Sequence, residues 1–187
     1  NTFLGSLINR LKSSLPDNLS EEIDDGVLSE PRPVRGESSS TDSTGQDTAN
    51  DLIMLHLCAR QGTHFERIDL HSAALRVGLR FGDHGCYHRF PLDDNRPPFF
   101  SLVNGVEPGS LNEDSVRSLD TPRLTLFCQL SEQSDPVLAV NEMVTGARAI
   151  AREIGADVQD DDQRSLDRDW INAARGLAVE REKAMKK

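Results

Sequence analysis

Apolar and polar residues settle into regular spacings only after residue 51, and those spacings predict an ordered series of elements. "LIMLHLCA", from Leu52, is a nearly continuous apolar run of strand length, followed by a turn at Gly62. Residues 66–77 read as a helix closed by Gly78. "HGCYHRF" (84–90) and "FFSLVNG" (99–105) read as two strands joined by a Pro- and Asp-rich loop at 91–98. A short helix is expected around 112–119, ending before Thr121-Pro122. "LTLFCQL" (124–130) is the clearest strand. Asp135 then caps a helix that has Pro136 in its first turn and Gly155 after its end. Its apolar stripe is Val137, Val140, Val144, Ala147, Ala151 and Ile154. A strand near 156–160 follows, then a helix at 167–184 with Trp170, Ile171, Ala174, Leu177 and Ala178 on one side. The order predicts an α+β fold, a mainly antiparallel β-sheet with helices packed on one face.

Successive side chains along each predicted strand point to opposite faces. In 124–130, Leu124, Leu126, Cys128 and Leu130 point toward the helices, and Thr125, Phe127 and Gln129 point away. In 99–107, Phe100, Leu102 and Val106 face inward, while Phe99, Ser101, Val103, Gly105 and Glu107 share the other face. In 52–58 both faces are apolar. A sheet covered on one side usually has a polar second face, and three strands here do not. That pattern predicts an apolar groove on the open face of the sheet, of the kind that marks a partner site.

Before residue 52 the chain reads differently. Residues 1–15 place Phe3, Leu4, Leu7, Ile8 and Leu11 at helical spacing, which fits either a short interfacial helix or a weakly docked segment. Residues 16–51 are acidic, rich in Ser, Thr, Pro and Gly, and free of aromatics, so they read as a disordered, self-repelling linker. The folded part expected from the pattern is residues 52–187. The formal charge of −10 is mostly a property of the linker: residues 17–51 carry ten acidic and two basic side chains, which leaves a net of −4 for residues 52–187. That domain has no basic stripe for nucleic acid. Its three cysteines, Cys58, Cys86 and Cys128, are too few for a disulfide framework and suit a reducing compartment. No run approaches the roughly 18 apolar residues that a membrane span needs. The first residue is Asn rather than Met, which suggests an upstream segment.

Alternation also lines up His84, Cys86 and His88, residue types that bind zinc. A closed site needs a fourth ligand, for which His56 and Cys58 are the nearest candidates, and no Cys-x-x-Cys or His-Glu-x-x-His motif accompanies them. No Gly-x-Ser-x-Gly elbow, P-loop or dinucleotide fingerprint points to an enzyme. The residues thus favour a binding module without metal or cofactor.

"GLRFGDHGCYHRF", "FFSLVNGVEPGSL", "LDTPRLTLFCQL" and "DVQDDDQR", taken in order, resemble the C-terminal domain of the ZipA family of bacterial cell-division proteins. The resemblance implies a split β-α-β fold whose open sheet face binds the C-terminal tail of FtsZ, the tubulin-like division protein. It implies a groove formed by Leu52, Met54, His84, Cys86, Val103, Gly105, Glu107, Thr125, Phe127 and Gln129, with Asp83 at the rim. Where the family carries methionines this chain has His84 and Gly105, and where it carries a lysine it has Glu107. Fewer methionines imply a shallower groove, and a histidine at position 84 implies pH-dependent binding. The resemblance further implies a non-enzymatic adaptor without cofactor. It would tether FtsZ filaments at the cytoplasmic face of the inner membrane, through an N-terminal anchor not present in this chain. The alternatives are an open-sheet domain for another peptide, or a metal- or nucleic-acid-binding module.

Overall fold

Strand β5 (Arg123–Gln129) lies between two partners in the sheet and is buried along almost its whole length. The computed structural model describes residues 51–82, 85–93, 96–107, 109–111 and 120–186. The segment expected at 1–15, the linker up to residue 50, and the helix expected at 112–119 lie outside the described residues. So do Asp83 and His84.

The other strands are β1 (Leu52–Cys58), β2 (Arg80–Gly82), β3 (Cys86–Arg89), β4 (Phe100–Asn104) and β6 (Asp157–Gln159). Three helices complete the described elements: α1 (Arg67–Arg76), α2 (Pro136–Ile154) and α3 (Arg168–Met185). The sheet order is β2-β3-β4-β5-β1-β6, and every pairing is antiparallel. β1 and β5 align over their full lengths, with Ile53 opposite Cys128, Leu55 opposite Leu126 and Leu57 opposite Leu124. On the other flank of β5, Leu102 stands opposite Leu126.

These apolar pairs form the helix-facing side of the sheet. Leu55, Leu57, Leu102, Leu124 and Leu126 are completely buried. At about 1.5–3 kcal/mol for each large side chain removed from water, this layer supplies much of the drive to fold. α2 lies across it. Asp135 caps the helix by accepting from the Leu138 N–H at 2.8 Å, and Gly155 ends it in the left-handed conformation at φ 70°. The buried side of α2 is Ala139, Val140, Met143, Val144, Gly146, Ala147, Ile150 and Ala151. Val137 and Ile154, expected in the stripe, are only partly buried at its ends, while Met143 and Ile150 sit at its centre. α1 packs on α2, and the Tyr87 hydroxyl ties α1 to β3 through His71 Nδ1 at 2.7 Å.

Two sequence expectations change here. In place of a single strand over 84–90, the short strands β2 and β3 pair with each other, and Gly85 just before β3 has φ 69°. Arg-Phe-Gly at 80–82 is too short to show a period of two. The strand expected to run through residue 107 ends at Asn104. There the Asn104 side-chain oxygen accepts from the Val106 N–H (3.2 Å) and the Thr121 hydroxyl (2.7 Å), turning the chain away.

The close fit between helix and sheet sets a sharp steric limit. A Cβ added at Gly146 would lie 2.6 Å from Cζ of the buried Phe100 ring. Alanine normally favours a helix over glycine by about 1 kcal/mol, but overpacking a core costs about 1–3 kcal/mol. Gly146→Ala is expected to lower stability by that order in urea denaturation; a stabilised variant would show that the contact can relax.

Candidate peptide-binding face of the sheet

The second face of the sheet is set by the same register that builds the core. Antiparallel partners share a face, so Met54 meets Phe127, Leu52 meets Gln129, and His56 meets Thr125 across β1 and β5. Across β5 and β4, Phe127 meets Ser101 and Thr125 meets Val103. His88 of β3 continues the row beyond Ser101. Seven of the residues expected in the groove therefore come together on this one face: Leu52, Met54, Cys86, Val103, Thr125, Phe127 and Gln129.

Glu107 stands apart from that group, and Gly105 continues it just past the end of β4, opposite Arg123. Gly105 follows β4 and donates its N–H to the Arg123 carbonyl at 2.8 Å. A Cβ at Gly105 would sit 2.8 Å from that same oxygen, so the position is a close backbone approach with no room for a lining side chain. Glu107 lies in the turn beyond β4 and is exposed, off the sheet.

Alternation predicts an open face, yet its centre is buried. Cys86, Val103 and Thr125 have no exposed surface, and Phe127 retains 8%. Leu52 and Met54 are half-buried and form the more accessible edge. Cys86, Val103 and Phe127 also lie outside the connected core on the helix side, so they form a separate apolar layer.

Polar groups on this face are satisfied by one another, as burial requires. His56 Nδ1 is 3.0 Å from the Thr125 hydroxyl, and its Nε2 is 3.0 Å from Asp161 Oδ1. His88 Nδ1 lies 2.8 Å from the Ser101 hydroxyl. The Gln129 amide donates to the Ser131 hydroxyl at 3.0 Å, and the Cys58 thiol to Gln159 Oε1 at 3.3 Å. Asp161 is held in place by the loop it belongs to. The carboxylate of Asp160 accepts from the N–H groups of Asp162 and Arg164 and from Arg164 Nε, at 2.8–3.0 Å. Burial opposes ionisation of Asp160, but these donors outweigh it and hold its carboxyl below the usual range.

His56, Ser101 and His88 also belong to this face, His88 through the alternation that lines it up with Cys86. The same alternation contains them: His56 is two residues after Met54, and Ser101 is two before Val103. His56 and Ser101 carry no apolar signal, so a groove read from its apolar side chains does not pick them out.

Among the described residues, no three His, Cys, Asp or Glu side chains are grouped to hold a metal. Of the suggested zinc ligands, His84 lies outside the described residues, and His56, Cys58 and His88 are within hydrogen-bond distance of protein groups. Burial pushes the Cys86 thiol up to about 12, away from the thiolate that zinc requires.

Residues 51–176, which build the whole described sheet, match the sequence profile of the family described as "ZipA, C-terminal FtsZ-binding domain". The chain belongs to this family. Named relatives agree. The chain is 28% identical over 172 residues to "Cell division protein ZipA" of Pseudomonas fluorescens, covering 89% of this chain and 61% of that protein. It is 30% identical over 114 residues to the protein of the same name in Marinobacter nauticus, covering 60% and 34%. With that of Pasteurella multocida it shares 28% over 134 residues, covering 71% and 41%. This ZipA-family chain thus spans between about a third and three-fifths of the length of these curated relatives. No helix among the described residues is long and apolar enough to cross a membrane.

The buried thiols give a chemical check on this face. Burial raises the thiol pKa of Cys86 and Cys128 from 9.0 to about 12, with the Glu132 carboxylate adding to the effect at Cys128. At pH 8 iodoacetamide is expected to modify neither of them in the native chain, and all three cysteines in urea; rapid native labelling of Cys86 would show that the second face opens readily. Because these pKa values are raised on folding, the stability tied to the neutral thiols is complete below pH 9. It should fall as pH rises from 9 toward 12.

Proposed function

We propose that this chain is an FtsZ-binding cell-division adaptor that takes the C-terminal tail of FtsZ on the second face of its sheet. The observation that carries this reading is the family match over residues 51–176. The apolar layer of Cys86, Val103 and Phe127 supports it, since it lies outside the core and is flanked by the half-buried Leu52 and Met54. The chemistry is burial of apolar side chains with no bond made or broken. An acidic linker ahead of the domain would let the bound filament stand off from an anchor, as a self-repelling chain does. In this reading the anchor is N-terminal to residue 1 and holds the complex at the cytoplasmic face of the inner membrane.

Burial of the face in the free chain has an energetic consequence. A tail that engages Phe127 must enter from the Leu52 and Met54 edge or wait for the face to open. Any opening step reduces the apparent affinity by the fraction of molecules that are open. Affinity is therefore expected to rise with substitutions that loosen the face without removing its apolar anchors.

Calorimetric titration of the 187-residue chain with an FtsZ C-terminal peptide tests the reading directly. Binding is expected, and Phe127→Ala should weaken it by about 1–3 kcal/mol, as loss of a central aromatic anchor does. Met54→Ala should weaken it less, because its side chain lies at the accessible edge. No heat of binding, or an unchanged affinity in Phe127→Ala, would remove the second face as the tail site.

A further inference from the structure

Helices α2 and α3 enclose a cleft of about 390 Å³ on the helical side of the domain, none of whose lining residues belongs to the apolar layer of the second face. Its charge is opposite to that of the chain. Arg148 of α2 faces Arg168 and Arg175 of α3 across it, and Asn141 and Asn172 add amide groups. None of the eight lining residues is acidic. In a chain with ten more acidic than basic side chains, such a cluster is locally built and does not follow from composition.

The spacing shows how the cluster arises. Asn141, Val144 and Arg148 fall at i, i+3 and i+7 on α2, and Arg168, Ile171, Asn172 and Arg175 at i, i+3, i+4 and i+7 on α3. Each set occupies one helix face, and the two faces are turned toward each other. Val144 and Ile171 are buried and make an apolar floor, and the guanidinium groups rise from it toward solvent. A floor of this kind keeps water from one side and strengthens the attraction for an anion.

The three arginines also lack the partners that others in the chain have. Arg76, Arg89, Arg164 and Arg181 each lie in an ion pair, with Glu153, Glu142, Asp160 and Asp51 respectively. Among the described residues, Arg148, Arg168 and Arg175 lie in none. Arg175 donates through Nε to Asn141 Oδ1 at 2.8 Å. That bond fixes the plane of its guanidinium and leaves both terminal nitrogens for a ligand, so part of the ordering cost is met before binding.

We propose that the α2–α3 cleft binds a phosphate-bearing ligand. Guanidinium forks match the oxygen geometry of phosphate and give bidentate, charge-assisted hydrogen bonds. The volume lies in the usual small-ligand range of roughly 300–1,000 Å³, enough for one phosphate ester and a small attached group. The same chemistry is offered by a soluble phosphate monoester and by the headgroup of an anionic lipid. Because the chain repels anions at long range, the interaction is short-range and confined to the cleft.

The test uses the full chain and two probes. Glycerol 3-phosphate is titrated while the Arg175 Nε–H and the α3 amide resonances are followed by NMR, and co-sedimentation is measured with phosphatidylglycerol and phosphatidylcholine vesicles. Arg148→Gln/Arg175→Gln should weaken the response about tenfold or more, as expected for lost charge-assisted bonds. Arg60→Gln, at an exposed arginine elsewhere, should leave it unchanged. A response to glycerol 3-phosphate identifies a soluble ligand, and one only to phosphatidylglycerol vesicles identifies a lipid headgroup. The proposal is overturned by no response to either probe, by a response that the double variant retains, or by an equal response to glutamate at matched ionic strength. Tail binding at the second face stands or falls separately.

Discussion

A slip of one residue between β5 and β1 would turn Leu124, Leu126 and Cys128 away from the helices and bring Thr125 and Gln129 into the core. The seven-residue register between these strands therefore fixes both sides of the sheet at once. On the helix side it stacks Leu55 on Leu126 and Leu57 on Leu124, giving α2 a flat apolar bed. On the second side the same register places Phe127 beside Met54 and brings His56 to Thr125. Core and candidate site are thus two results of one pairing, and a substitution that shifts the strands would damage both.

The second side differs from the core in how its burial is made tolerable. Helix-side positions are almost wholly hydrocarbon. Second-side positions mix hydrocarbon with imidazole, hydroxyl, amide and thiol groups whose hydrogen bonds run mostly along and between strands. His56 links β1 to β5 and to the loop after β6, and Asp160 braces that loop from within. Hydrogen-bonded polar groups thus surround the apolar side chains of Val103 and Phe127.

Much of this was legible in the residues. Asp135, Pro136 and Gly155 mark both ends of α2 because each carries a local backbone reason for its position. Alternation in 124–130 separates the two faces of β5 correctly, since its period is long enough to read. The resemblance to the ZipA family matches the family shown over residues 51–176, and seven of the groove positions it implies share one face of the sheet. What the residues did not show has physical causes. β2 is three residues long and has no period. Asn104 ends β4 by a side-chain turn that depends on Thr121, seventeen positions away in the chain, so Glu107 leaves the sheet for a reason no local pattern contains. Burial of Thr125 and Val103 depends on what surrounds the second face, which alternation cannot express. The arginine cleft has a different cause: its two halves lie on separate helices and meet only in the fold.

The central claim is that one face of the β1–β5–β4 sheet is for folding and the other for FtsZ. Amide NMR of the full chain during titration with the FtsZ C-terminal peptide addresses it most directly. The account predicts the largest shifts at Met54, Val103, Thr125 and Phe127, with α2 and α3 little changed. Shifts concentrated on α2 and α3, with those four residues unmoved, would contradict it.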